Sequence, residues 1–106
     1  MDSLLKKLKL SETNPGACTG PDDWISDPAG KELVSYNPTT SEPIAKVTQA
    51  TSATYERVAA TATESFKTWR ELPAPKRGVL VRDFAELVRE NTEPLGDLIS
   101  LEMGKI

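Results

Sequence analysis

Few residues in this chain are of a kind that can do chemistry. Cys18, in the run Gly16-Ala17-Cys18-Thr19-Gly20, is the one thiol. A nucleophilic cysteine needs a lowered pKa, usually from a nearby histidine or a helix N-terminus. The sequence has no histidine, and the proline and glycine around Cys18 read as a flexible loop, so it is expected to be a bystander. With no histidine, a single cysteine and no carboxylate-rich constellation, no transition-metal site is expected. The adjacent acids Asp22 and Asp23 read as solvated loop residues. The closing stretch "LISLEMGKI" offers Gly104-Lys105, which invites comparison with a phosphate-binding loop. That loop requires glycine five positions earlier and serine or threonine immediately after. Ile99 and Ile106 stand there instead, and the phosphate grip fails. No Gly-x-Gly-x-x-Gly is present, so no dinucleotide fingerprint lies in these residues. Gly104 reads as a helix stop, with Lys105 placed near the negative end of the helix. From the residues alone, the expectation is no catalytic, cofactor-binding or metal-binding side chain in this chain.

The elements that would position such residues follow from pattern. In "MDSLLKKLKL", Leu4, Leu5 and Leu8 share one helical face, with lysines elsewhere. A short helical turn packed on the protein's own body is expected rather than a membrane-surface helix, because the segment has no aromatic anchor. It also lacks the continuous apolar stretch of a secretory signal. Ser11 to Gly30 holds three prolines and three glycines, which deny it regular helix and predict a loop. Trp24 and Ile25 are its main apolar residues and are expected to pin that loop to the core. Leu33–Tyr36 and Ile44–Gln49 are rich in β-branched and aromatic residues and flank "NPTTSEP", predicting a hairpin with a five- to seven-residue connection. After Ala50 the apolar period changes to 3.6: Thr51 is a candidate N-cap, and Tyr55, Val58, Ala59, Ala62, Phe66 and Trp69 form a stripe expected to be core. Pro73 and Pro75 end that helix, and Pro75 can open the next. Val81, Phe84, Ala85, Leu87 and Val88 mark a second helix ending near Asn91. Thr92 is the candidate cap of a third, with Leu95, Leu98, Ile99 and Leu101 as its buried side. Two strands cannot make an independent sheet, so the hairpin is expected to need further strands or another body to lie against.

Composition bounds the class. The chain has 106 residues, 38% hydrophobic and 27% charged, which suits one small globular unit rather than disorder. A net charge of −3 gives no basic field for a nucleic-acid partner. No apolar run nears the roughly 20 residues of a membrane span. One cysteine fits a reducing compartment, and a cytoplasmic location is expected.

Asn37-Pro38-Thr39-Thr40 with Glu42 and Ile44, Phe66 with Trp69, Arg77, and Leu101-Glu102-Met103-Gly104-Lys105 together resemble the N-terminal part of the aldehyde dehydrogenase superfamily. The likeness covers nearly all of residues 30–106. "PAPKRG" and "SLEMGKI" are most similar to its antiquitin-like branch, which oxidises α-aminoadipic semialdehyde or its cyclic form, piperideine-6-carboxylate, in lysine catabolism. The resemblance implies an α/β fold in which a hairpin and amphipathic helices belong to the NAD-binding domain. Residues 1–30 would be an N-terminal helix turn and Pro/Gly-rich loop, and 31–106 a truncated aldehyde dehydrogenase domain. NAD, the general-base glutamate and the nucleophilic cysteine would belong to downstream segments, leaving this chain inactive when isolated. The substrate would be a small aldehyde, with homo-oligomerisation at full length and no nucleic-acid or membrane partner. Cys18 is not carried over as the nucleophile, since Pro15-Gly16-Ala17 replaces the family's lead-in. Ser41 stands where the family commonly has glycine, implying strain if φ is positive there. Glu102 and the Tyr36 carbonyl match positions that can contribute to a monovalent-cation site in the family. The alternative is a non-catalytic helical interaction module, using the hairpin edge and helix faces. On either reading, the isolated chain is expected to be poorly folded or self-associating.

Overall fold

The computed structural model describes residues 2–105. The chain opens on a short helix, α1 (Asp2–Lys7), ended by backbone geometry rather than by glycine. Lys9 takes the left-handed conformation at φ 56°. The Leu10 N–H then reaches the Leu5 carbonyl at 2.8 Å, and the Lys9 N–H that of Lys6 at 3.1 Å. This paired closure is the Schellman stop. It turns Leu5 into the body of the protein, where the side chain is buried. The expected packed turn is therefore present.

The segment expected to be a loop contains three short strands: β1 (Thr13–Pro15), β2 (Cys18–Gly20) and β3 (Asp23–Trp24). It carries no helix, as its prolines dictate. Local pattern does not announce these strands, because each has only two or three residues and Asn14, Pro15, Gly20 and Asp23 are disfavoured in sheets. Cys18 accordingly sits in a strand, paired with Trp24 across an irregular antiparallel ladder, and not in a free loop. The Trp24 side chain is exposed while its neighbour Ile25 is buried. Of the two residues expected to pin this region, only Ile25 does so.

The hairpin forms as its pattern requires, from β4 (Glu32–Tyr36) and β5 (Pro43–Thr48). They run antiparallel, with Leu33 opposite Val47 and Ser35 opposite Ala45, and the register shifts between Ser35 and Tyr36. The extra strand the hairpin needs comes from within the supposed loop. β1 pairs in parallel with β5, Asn14 opposite Val47, to give the order β1-β5-β4. Gly16 and Gly30 make this possible. A side chain at either would stand 2.3 Å from the Thr48 carbonyl or 2.1 Å from that of Gln49, so only glycine lets both segments approach the end of β5.

Three helices follow: α2 (Ser52–Trp69), α3 (Ala74–Glu90) and α4 (Thr92–Met103). Thr51 caps α2, its hydroxyl accepting the Thr54 N–H at 3.4 Å. Pro73 precedes α3 and Pro75 lies in its first turn, where a missing N–H costs nothing. The expected cap on α4 moves by one residue. Asn91 is the N-cap, while the Thr92 hydroxyl donates back to the Val88 carbonyl at 3.1 Å. Only Asn91, at φ −104°, separates α3 from α4, so Thr92 is already helical and its side chain serves the preceding helix. Gly104, at φ 62°, ends α4 in the left-handed conformation, as expected of a helix stop.

The aromatic stripe is not core. Tyr55, Phe66 and Trp69 on α2 are exposed, as are Val81, Phe84, Leu87 and Val88 on α3 and Leu95 and Ile99 on α4. The buried apolar side chains among the described residues are Leu5, Ile25 and Ile44. The radius of gyration is 16.8 Å, against about 13 Å for a compact chain of this length. The amphipathic pattern thus formed helices whose apolar faces this chain alone does not cover. No described helix is long and apolar enough to cross a membrane.

Candidate functional site

Two of the motif segments singled out in the sequence, "NPTTSE" and "LEMGK", lie far apart in the chain and meet in space. The hairpin turn is built locally. The Asn37 side-chain carbonyl accepts the Thr39 N–H at 2.9 Å, an Asx turn that begins the reversal. The Ser41 N–H reaches the Asn37 carbonyl at 2.8 Å, and the Asn37 N–H that of Glu42 at 2.9 Å. This closure holds Ser41 at φ 60°, so the positive angle anticipated for a glycine-preferring position is present on a serine.

The end of α4 is set against this turn. The Ser35 hydroxyl donates to a Glu102 carboxylate oxygen at 2.5 Å. A side chain at Gly104 would come within 2.9 Å of Pro38 Cγ. Gly104 therefore serves twice, as a left-handed stop and as the clearance that lets the helix end sit on the turn. Of the two positions expected to share a site, Glu102 bonds Ser35, the residue immediately before Tyr36. Ser35 was not singled out in the sequence. Its only signal there is strand alternation, which puts it on the face opposite Tyr36.

A second polar knot holds the start of α2. Asp27 Oδ2 accepts the Thr51 N–H at 2.9 Å, the Thr51 hydroxyl at 2.8 Å and the Thr54 hydroxyl at 2.6 Å. The Thr54 hydroxyl, the Thr51 N–H and hydroxyl, and a smaller contribution from the Ala29 N–H all favour the ionised form. They hold the Asp27 carboxyl at about 2, from a usual 3.8. Thr54 is buried, and its hydroxyl is satisfied by this bond. Nearby, Arg57 pairs with Asp23 at 2.8 Å, and Asp23 also accepts the Thr19 hydroxyl. Asp22 and Asp23 thus diverge from the expectation of two solvated acids, since Asp23 ties β3 to α2. These groups join secondary-structure elements to one another; they form no nucleophile–base pair.

Cys18 is half-buried, and the chain holds no histidine to activate it. No cluster of metal-ligating side chains occurs among the described residues. Gly104-Lys105 sits at the C-terminal end of α4, where carbonyls and the negative end of the helix face outward. That polarity opposes phosphate. The helix N-termini do not suit a dinucleotide pyrophosphate either. The Asp27 carboxylate occupies the start of α2, Pro75 removes an N–H from the first turn of α3, and the cap of α4, Asn91, is also the C-cap of α3. These residues do not fit a nicotinamide cofactor by themselves. Phe66 and Trp69 instead line a shallow apolar groove with Ala62 and Leu72, and Arg77 is half-exposed on α3.

Comparison with known proteins bears on both meeting segments. The sequence model of the aldehyde dehydrogenase family matches residues 24–106. The chain is 44% identical over 102 residues to α-aminoadipic semialdehyde dehydrogenase of Bos taurus, covering 96% of this chain and 18% of that protein. It is 43% identical over 103 residues to aldehyde dehydrogenase family 7 member A1 of Pisum sativum, covering 97% and 20% respectively. Similarity to malonate-semialdehyde dehydrogenase 2 of Geobacillus thermodenitrificans is 35% over 83 residues, 78% of this chain and 17% of that one. The chain spans about a fifth of the length of these relatives.

Proposed function

The chain belongs to the aldehyde dehydrogenase family, and from that premise we propose that it supplies the N-terminal scaffold of an NAD(P)-dependent enzyme oxidising a semialdehyde to a carboxylate. The carrying observation is 44% identity to an α-aminoadipic semialdehyde dehydrogenase across 96% of the chain. The matched stretch includes both Ser35 and Glu102, the residues that join the hairpin to α4. On this reading residues 31–106 are the first part of the dehydrogenase domain. Their exposed helix faces pack against the remainder, which holds NAD or NADP, the nucleophile and the base. The substrate is α-aminoadipic semialdehyde or a close semialdehyde.

The role of this chain's own residues is positional. Gly16 and Gly30 let the β1-β5-β4 sheet close, Asp27 fixes the start of α2, and Glu102 fixes the end of α4 on the hairpin. The reading as a free-standing interaction module has no observation in its favour beyond exposed apolar faces, which a scaffold segment explains equally.

Expressing the full coding sequence that contains these residues, and assaying it with NAD⁺ and NADP⁺ against a semialdehyde panel, tests the proposal. The expected result is cofactor-dependent oxidation with the highest kcat/KM on α-aminoadipic semialdehyde. No aldehyde oxidation, or a clear preference for malonate semialdehyde, would sink it.

A further inference from the structure

We propose that Ser35, Glu102, Gly104 and Pro38 form a latch through which the position of α4 sets the order of the hairpin turn. The inference goes beyond the assignment of an enzyme class and does not depend on it. α4 packs chiefly on α1 and α3, and α1 in turn touches the sheet, Leu5 and Leu10 lining a groove with Pro43 and Ile44. That is one tie between the helices and the sheet, and the junction described above is another. A carboxylate on the last turn of α4 accepts the Ser35 hydroxyl of β4 at 2.5 Å, and the α4 stop has clearance for Pro38 only because Gly104 lacks a side chain. The junction lies at the one place where the β4–β5 register shifts, between Ser35 and Tyr36. Beyond that shift the turn is held by two backbone bonds, from the N–H groups of Asn37 and Ser41, and it contains the unfavourable positive φ of Ser41. The turn is thus the part of the hairpin that carries both the register shift and the left-handed residue, and the helix end sits directly on it. Holding α4 down holds the turn closed, and releasing it lets the turn open while the far end of the sheet stays paired.

The test is amide hydrogen exchange on the protein expressed from the full coding sequence that contains these residues, read at Asn37 and Ser41 and at Lys46 and Gln49. The last two bond to the Glu12 and Lys31 carbonyls at the other end. Ser35→Ala and Glu102→Ala each remove one side of a charge-assisted bond and are expected to speed exchange at Asn37 and Ser41 roughly tenfold. Lys46 and Gln49 should be unchanged, and the double variant should exchange no faster than either single one. Gly104→Ala, which pushes the helix end off Pro38, should act at the same two amides. Unchanged exchange at Asn37 and Ser41 would overturn the latch. So would equal acceleration at all four amides, additive effects in the double variant, or wild-type exchange at the turn as fast as in an unstructured peptide.

Discussion

The Thr54 hydroxyl lies 2.6 Å from the Asp27 carboxylate, 27 residues earlier in the chain. The same oxygen takes the Thr51 N–H and hydroxyl, so one carboxylate completes the cap of α2 and ties the segment after β3 to it.

That arrangement sets an acid sensitivity. The carboxyl is held at about 2 when folded, against 3.8 ordinarily. Because the folded value is depressed, the stabilisation is fully present above about pH 4 and is lost as pH falls toward 2. Thermal melts followed by circular dichroism between pH 2 and 6 should show the wild type losing melting temperature through that window. Asp27→Asn, which cannot titrate, should be less stable at pH 6 and should narrow the gap as pH drops. A constant gap between the two would contradict the assignment.

Ser41 has φ 60° in an exposed turn, a conformation that costs non-glycine residues about 1 kcal/mol. Ser41→Gly is expected to raise the urea midpoint by a corresponding amount, while Ser41→Val lowers it. Osmolyte such as sucrose keeps the baseline folded without altering the order of the variants.

A methyl group at residue 30 would meet the Gln49 carbonyl at 2.1 Å and Thr48 Cγ2 at 2.9 Å. Gly30→Ala should therefore destabilise by about 1–3 kcal/mol, the usual range for overpacking. Gly78→Ala, where a side chain meets open space on α3, should be neutral to stabilising. Equal midpoints for the two variants would show that the approach to β5 is not tight.

The apolar faces of α2 and α3 predict self-association of the isolated chain. Phe84 is 68% exposed and Tyr55 66%, and the core among described residues is confined to three side chains. Sedimentation velocity should show a weight-average mass that rises with concentration, together with a broad thermal transition. A monomer that melts sharply at every concentration would contradict this.

The helices were legible because an apolar period of 3.6 survives from Tyr55 to Leu101, and Thr51, Pro73 and Gly104 mark their limits chemically. The hairpin was legible from Leu33–Tyr36 and Ile44 onward for the same kind of reason. What escaped was non-local. Thr13–Pro15 becomes a strand only because β5 offers it a parallel edge, and no local propensity of Asn14-Pro15 announces that. Burial escaped as well: the spacing of Tyr55, Phe66 and Trp69 states that they share a face, not that this chain supplies anything to cover it. At the junction, Glu102 was legible by resemblance. Ser35, which bonds Glu102, carries no motif and became visible only through geometry.

The central claim is that these residues position a dehydrogenase without performing its chemistry, and the rate of NAD⁺ reduction by the purified 106-residue chain tests it most directly. With a saturating semialdehyde, set beside the full enzyme at equal molarity, the chain should show no rate above the protein-free blank while the full enzyme turns over. A saturable rate from the chain alone, abolished by Cys18→Ser, would contradict the account.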